Sequence, residues 1–204
     1  VPTDQNLGIS QRILYFHVPI SILALSSIVI VAVASFIHLL KKQEEWDSFA
    51  YAGAEIGMLL ASLSILTGAM WGKPTWGTWW TWDPRLTTAT IMWLLYIAYL
   101  FLHAGLESHD RRRHITAVYG IVAFISVPLT FMAIRIWRTI HPVIIGSADP
   151  DAEGQFDMTA RMTVTLLFTA STFTVLYFTI LWHRVRIQSL FEYMSKLQYQ
   201  MHND

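Results

Sequence analysis

Residues 71–87 read WGKPTWGTWWTWDPRLT and hold five of the nine tryptophans of the chain: Trp71, Trp76, Trp79, Trp80 and Trp82. They stand among glycine, proline and threonine, not inside an apolar run, so a folding core explains them poorly. Indole offers a large, rigid, mostly apolar surface. Several in one loop suit a flat aromatic ligand, and the glycines between them allow close backbone approach. Tryptophan also collects at bilayer interfaces. That accounts for Trp46, Trp93, Trp137 and Trp182, but not for five indoles in twelve residues. Asp83 either orients an indole N–H or the neighbouring arginine, or caps a helix that opens at Pro84. His17 and His141 flank the loop, and imidazole is a common metal ligand.

The elements that position these residues are membrane helices. The 204 residues are 54% hydrophobic and 14% charged, against about 25% charged in soluble domains. Mean hydropathy is +0.42. The formal net charge is zero, so no bulk attraction to nucleic acid is implied. Without cysteine the chain forms no disulfide, thiolate site or covalent C-x-x-C-H attachment. A span needs about 20 apolar residues, and lipid forces such a span to be helical. Five segments qualify: 18–40, 49–70, 88–106, 115–134 and 161–183. The expected fold is an all-α polytopic membrane protein, a single domain over 1–204. Pro128 should kink the fourth span. The tail 184–204 has the apolar spacing of an amphipathic helix on the membrane surface or against a partner. The tryptophan loop, 71–87, should lie at the membrane surface and include a short interfacial helix.

Basic residues set the orientation. Lys41, Lys42, Arg111, Arg112, Arg113, Arg184, Arg186 and Lys196 fall on one side, eight in all, against six on the other: Arg12, Lys73, Arg85, Arg135, Arg138 and Arg161. By the positive-inside rule the side with eight is cytoplasmic, and the tryptophan loop and the segment 135–160 lie outside. His38, His103, His109, His114, His183 and His202 then fall on the cytoplasmic side, as solvated or interfacial residues. His17 and His141 share the outer face with the tryptophans. Each is expected at a helix end, with Pro19 fixing the entry of the first span and Pro142 ending the helix before it. Glu55, near the cytoplasmic end of the second span, is expected to snorkel to water.

The tryptophan-rich stretch resembles the WWD signature of the haem-handling family of cytochrome c biogenesis. Within it the chain is most similar to the CcmC family of haem-delivery membrane subunits of the system I pathway. The segment RILYFHVP, 12–19, is similar to the first histidine segment of that family, and WRTIH, 137–141, to the second, so the resemblance covers nearly the whole chain. It implies a sixth helix upstream of the five seen here, as family members usually begin with one more. It implies haem b, bound transiently and in oxidised form, with His17 and His141 as axial ligands of the iron on opposite faces. Trp71, Trp76, Trp79, Trp80, Trp82 and Asp83 would line the haem, and Arg12 or Arg85 would meet a propionate; Arg135 and Arg138 are further outer-side cations. The implied recipient is the haem chaperone CcmE. The implied assembly includes the ABC-type subunits CcmA and CcmB and the small subunit CcmD, in the cell inner membrane with the haem site at its periplasmic face. The chain has no Walker motif, so it is not expected to hydrolyse ATP; the resemblance implies a haem chaperone, not an enzyme. A cytochrome-b-like electron-transfer subunit with bis-histidine haem, a permease and a haem–protein ligase are competing readings.

Overall fold

The computed structural model of the chain describes residues 8–137, 141 and 158–203. The expectations for Arg138 and Pro142 lie outside these residues, as does most of the second outer segment. A 3-10 turn, Ile9–Ile13, leads into α1, Leu14–Lys41; then follow α2, Glu44–Trp76, α3, Pro84–Gly105, α4, His109–Ala123, α5, Ser126–Ile136, and α6, Ala160–Asn203. There is no strand among the described residues. Five spans are long and apolar enough to cross a membrane, with α4 and α5 together forming the fourth. The all-α polytopic fold read from the sequence is the fold observed.

α1 is central: it packs on α2, α4 and α6, while α3 packs on α2, α4 and α5. Small residues let α1 and α2 approach closely, as in membrane bundles generally. Ala24 and Ser27 of α1 and Ala54 and Ala61 of α2 are all buried. Tyr96 and Tyr99 of α3 fill the middle of the bundle beside Ile28 and Val31. A second cluster joins Leu14, Tyr15 and Val18 of α1 to Trp71 of α2 and Met162 of α6. Trp93 lies well inside α3 and donates its indole N–H to Ser62 of α2 at 2.8 Å. It is an interhelical link, not the interfacial belt residue expected.

Several element ends differ from the sequence reading. α1 begins at Leu14, before His17, because Leu14 and Tyr15 are buried against the bundle. His17 therefore lies within the helix and Pro19 sits in its interior, not at its entry. α2 continues through Pro74 to Trp76, so the first half of the expected loop is helix. A proline near a helix end forfeits one backbone bond. The neighbouring carbonyls stay engaged, Trp71 by the Thr75 hydroxyl at 2.8 Å and Lys73 by the Gly77 amide at 3.1 Å. The fourth span is broken at Phe124–Ile125, four residues before Pro128, and tighter bonds such as Ile125 N–H to Val122 at 3.1 Å bridge the break. That is the kink the proline implied. α5 ends at Ile136, short of His141. The tail continues α6 without interruption, in one helix of 44 residues.

At the end of the bundle formed by Lys41, Glu44, His103 and His109, buried charges replace the expected solvated ones. Arg113 is 4% exposed and Asp47 2%. Arg113 meets Glu44 at 2.7 Å, Glu192 at 3.1 Å and Asp47 at 3.7 Å, and His103 lies 3.5 Å from the same Asp47 oxygen. His103 also stacks on Tyr51, their ring centres 4.2 Å apart. His38 is buried and bonds the Gln43 carbonyl through Nδ1 at 2.9 Å. These two histidines are thus structural groups inside the fold. Glu55 pairs with Arg184 of α6 at 2.6 Å instead of reaching water alone.

Candidate functional site

The opposite end of the bundle holds a cleft. Its walls come from α1 through His17, Ser21 and Leu25, and from α2 through Ser64, Gly68 and Trp71. α3 contributes Arg85, Leu86, Ala89 and Met92; α5 contributes Phe131 and Arg135; Trp76, Trp79, Trp80 and His141 close it. Most of this lining is apolar, as small-molecule sites usually are, with a few convergent polar groups.

His17 and His141 come together across 124 residues of sequence. Their ring centres are 6.5 Å apart and the planes are tilted by 42°. Trp71 lies 6.1 Å from His17 and Trp76 6.2 Å from His141, centre to centre. Imidazole binds a metal ion at about 2.0–2.1 Å, so two imidazoles on opposite sides of one ion have ring centres about 6 Å apart. The observed spacing is of that size. Among the described residues no group of three or more His, Cys, Asp or Glu side chains could hold a metal ion.

Local sequence explains the placement. Gly77 ends α2 in a left-handed conformation, φ 77°, which glycine adopts at little cost. The Lys73 ammonium donates to the Gly77 carbonyl at 3.0 Å. Gly77–Trp79 form bends, Asp83 is extended, and its side chain accepts the Leu86 N–H at 2.8 Å, with Pro84 in the first turn. Asp83 is therefore the cap of α3, the simpler of its two expected roles. The short connection 77–83 is pinned at both ends, which holds Trp79 and Trp80 over the cleft.

The sequence-predicted residues divide. His17, His141, Trp71, Trp76, Trp79, Trp80 and Arg85 line the cleft. Trp82 does not: it is 73% exposed and meets Trp80 edge-on at 5.7 Å. Arg12 is exposed on the 3-10 turn and is not part of the lining. The turn that buries Gln11 and Leu14 carries Arg12 on its outer side. Arg135, not Arg12, is the second arginine that lines the cleft with Arg85. The indole N–H groups of Trp71 and Trp80 are buried and have no acceptor among the described residues.

Sequence reasoning missed Ser21, Ser64, Thr67 and Gly68. Their signal was helical spacing: His17, Ser21 and Ala24 on one helix face, and Ala61, Ser64 and Gly68 on another, both leading to the histidine and the tryptophans.

Comparison with known proteins bears on the family of the chain. A family model described as CcmC, heme exporter protein C, matches residues 1–200. Heme exporter protein C of Rhodobacter capsulatus is 37% identical over 137 residues, 67% of this chain and 57% of that protein. The Paracoccus denitrificans protein of the same name is 31% identical over 188 residues, 92% of this chain and 76% of that one. The Escherichia coli K12 protein is 31% identical over 140 residues, 69% and 57% respectively. The chain thus spans little more than half the length of two of these relatives. With a model match over nearly every residue, the chain belongs to the CcmC family, heme exporter protein C.

Proposed function

We propose that this chain is a haem-binding membrane chaperone of c-type cytochrome biogenesis. It holds haem b at the outer, periplasmic face of the cytoplasmic membrane and delivers it to the haem chaperone CcmE. CcmA, CcmB and CcmD are the partners, and ATP hydrolysis belongs to the ABC-type subunits. The observation that carries this reading is the pair His17 and His141, 6.5 Å apart in an apolar, tryptophan-walled cleft. Haem is a cargo that supplies four equatorial nitrogens and leaves two axial positions for imidazoles. The residues of the cleft fit it. Trp71, Trp76, Trp79 and Trp80 offer aromatic surface to the macrocycle. Arg85 and Arg135 offer guanidinium to the two propionates, a bidentate match. The orphaned N–H groups of Trp71 and Trp80 are donors suited to an anionic cargo.

The electron-carrier reading needs a second haem near the other face. There His38 and His103 are already committed, to the Gln43 carbonyl and to Asp47 and Tyr51. One histidine pair at one end fits loading and release better than electron transfer across the membrane.

The test is the optical spectrum of the purified chain. A six-coordinate low-spin haem is expected. His17→Ala and His141→Ala should each give weakened or five-coordinate haem and fail to load CcmE, and the double variant should lose delivery. If both single variants kept the low-spin spectrum and full delivery, the axial assignment would be wrong. Haem that cycled between redox states without ever leaving for an acceptor would favour the electron carrier.

A further inference from the structure

Thr67 stands behind His17 without lining the cleft. Its Oγ1 is 3.0 Å from His17 Nδ1 and 2.7 Å from the backbone carbonyl of Leu63. A carbonyl has no proton to give, and two oxygens so close need one between them. The single Thr67 hydroxyl proton is therefore spent on its own helix. Toward His17 the oxygen can only accept, so Nδ1 must carry the ring proton. A neutral imidazole has one N–H. Nε2 is then left with its lone pair, the state a metal ligand requires.

We infer that Thr67 is a positioning residue that fixes His17 in the Nδ1–H tautomer and presents Nε2 to the cargo iron. This inference rests on the haem-binding reading of the cleft. Ligating histidines generally give their second N–H to an acceptor that sets tautomer and ring orientation. Here the acceptor is a threonine already polarised by a helix carbonyl.

Two further contacts hold the same residue, one through Ser21 of α1 and one from Gly68 of α2. Ser21 Oγ is 2.6 Å from the His17 carbonyl, and by the same proton count it donates there. Ser64 Oγ lies 2.6 Å from Ser21 Oγ and so donates to it. Gly68 lies against the ring: a Cβ there would stand 3.0 Å from His17 Cε1. A little over one turn of α2, Ser64 to Gly68, thus meets His17 at its Nδ1 and its ring edge, and reaches its carbonyl only through Ser21 of α1. A histidine merely buried in a core needs one partner, not an acceptor-only contact on one nitrogen and an open cleft for the rest of the ring.

The full chain in detergent, labelled with 15N-histidine, provides the test, with His17 assigned by loss of its signals in His17→Gln. Without haem, the wild type should show His17 as the Nδ1–H tautomer. Thr67→Ser, which keeps the hydroxyl, should match it. Thr67→Val, close in shape, should shift His17 toward the Nε2–H tautomer. On haem titration, Thr67→Val should weaken binding on the order of 10–100-fold and move the haem midpoint potential, while Thr67→Ser stays near wild type. An Nε2–H tautomer in the wild type would overturn the inference, as would a Thr67→Val protein with unchanged tautomer, affinity and potential. If Thr67→Val did not fold, Thr67→Ser would still decide: loss of the Nδ1–H tautomer there sinks the proposal, and its retention supports it. Failure of the haem reading is separate. It would appear as a wild-type haem spectrum that ignores His17→Gln, whereas the tautomer is read without haem.

Discussion

Two glycines near the site act for opposite reasons, and this separates their variants. Gly68 has ordinary helical backbone but no room, since its Cβ would press on the His17 ring. Gly68→Ala should leave the helix intact and displace the imidazole. Haem affinity is expected to fall on the order of 10-fold, with thermal stability of the haem-free chain close to wild type; unchanged affinity by titration would show that the ring does not need that contact. At this scale the sequence told part of the story. The tryptophans and both histidines were legible because their types are unusual for the places they occupy. Thr67, Ser64 and Gly68 were not, since small and hydroxyl residues are ordinary in membrane helices and gain meaning only from what faces them. Arg12 was chosen over Arg135 by nearness in sequence to His17, but a helical turn separates neighbours in sequence onto different faces.

The span positions followed from hydropathy because lipid leaves a buried backbone few alternatives to the helix. The ends did not follow, because they are decided by single contacts. α2 has 33 residues, about 50 Å at 1.5 Å per residue, well beyond a hydrocarbon core of about 30 Å. Trp71 and Trp76 stand in its last two turns, carried by the helix itself and not by a loop. The helix stops at Gly77, where the left-handed backbone turns the chain toward Trp79 and Trp80. No atom would meet a Cβ there, so only conformation resists substitution. Gly77→Ala is expected to lose about 1–2 kcal/mol in thermal or denaturant unfolding of the haem-free chain, and Gly77→Asn less, since Asn tolerates this region. Equal stability of all three would show that the connection 77–83 is not held by that turn. The tail illustrates the same limit: its apolar spacing identified a helix, but not that this helix would be α6 itself, continued without a break.

The molecule as a whole has two ends with different electrostatic designs. One is the apolar cleft with His17 and His141. The other is the buried cluster of Arg113, Asp47, Glu192 and His103, with the part-exposed Glu44 at its edge, which ties α2, α3, α4 and α6 together. Asp47 and Trp71 are 24 residues apart on α2, about 36 Å along a helix, so the clamp and the cleft can be perturbed separately. Removing one partner of a buried ion pair costs about 3–5 kcal/mol, because the other charge stays buried without compensation. Arg113→Met leaves two buried carboxylates in that position. It should lower the unfolding temperature markedly while the protein that remains folded keeps a wild-type haem spectrum. A stable Arg113→Met protein with an altered spectrum would mean that the two ends are coupled.

The same division of the molecule bears on orientation. The Arg111–Arg113 cluster was read as a signal for the cytoplasmic side, which treats those charges as solvated. Arg113 is instead folded into the clamp with three acidic neighbours. The positive-inside rule counts Lys and Arg, and Asp and Glu contribute little to it, so the acidic neighbours do not cancel Arg113. The basic residues of that end, Lys41, Lys42, Arg111 and Arg112 among them, therefore still set the direction. Reporter fusions at Asp110 are expected to be active with a reporter that works in the cytoplasm and silent with one that works outside. Fusions in the connection 77–83 should give the reverse. An outer location for Asp110 would turn the cleft toward the cytoplasm. His17 and His141 could still bind haem there, but delivery to a periplasmic acceptor would be impossible, and the chaperone reading would fail while the haem site survived.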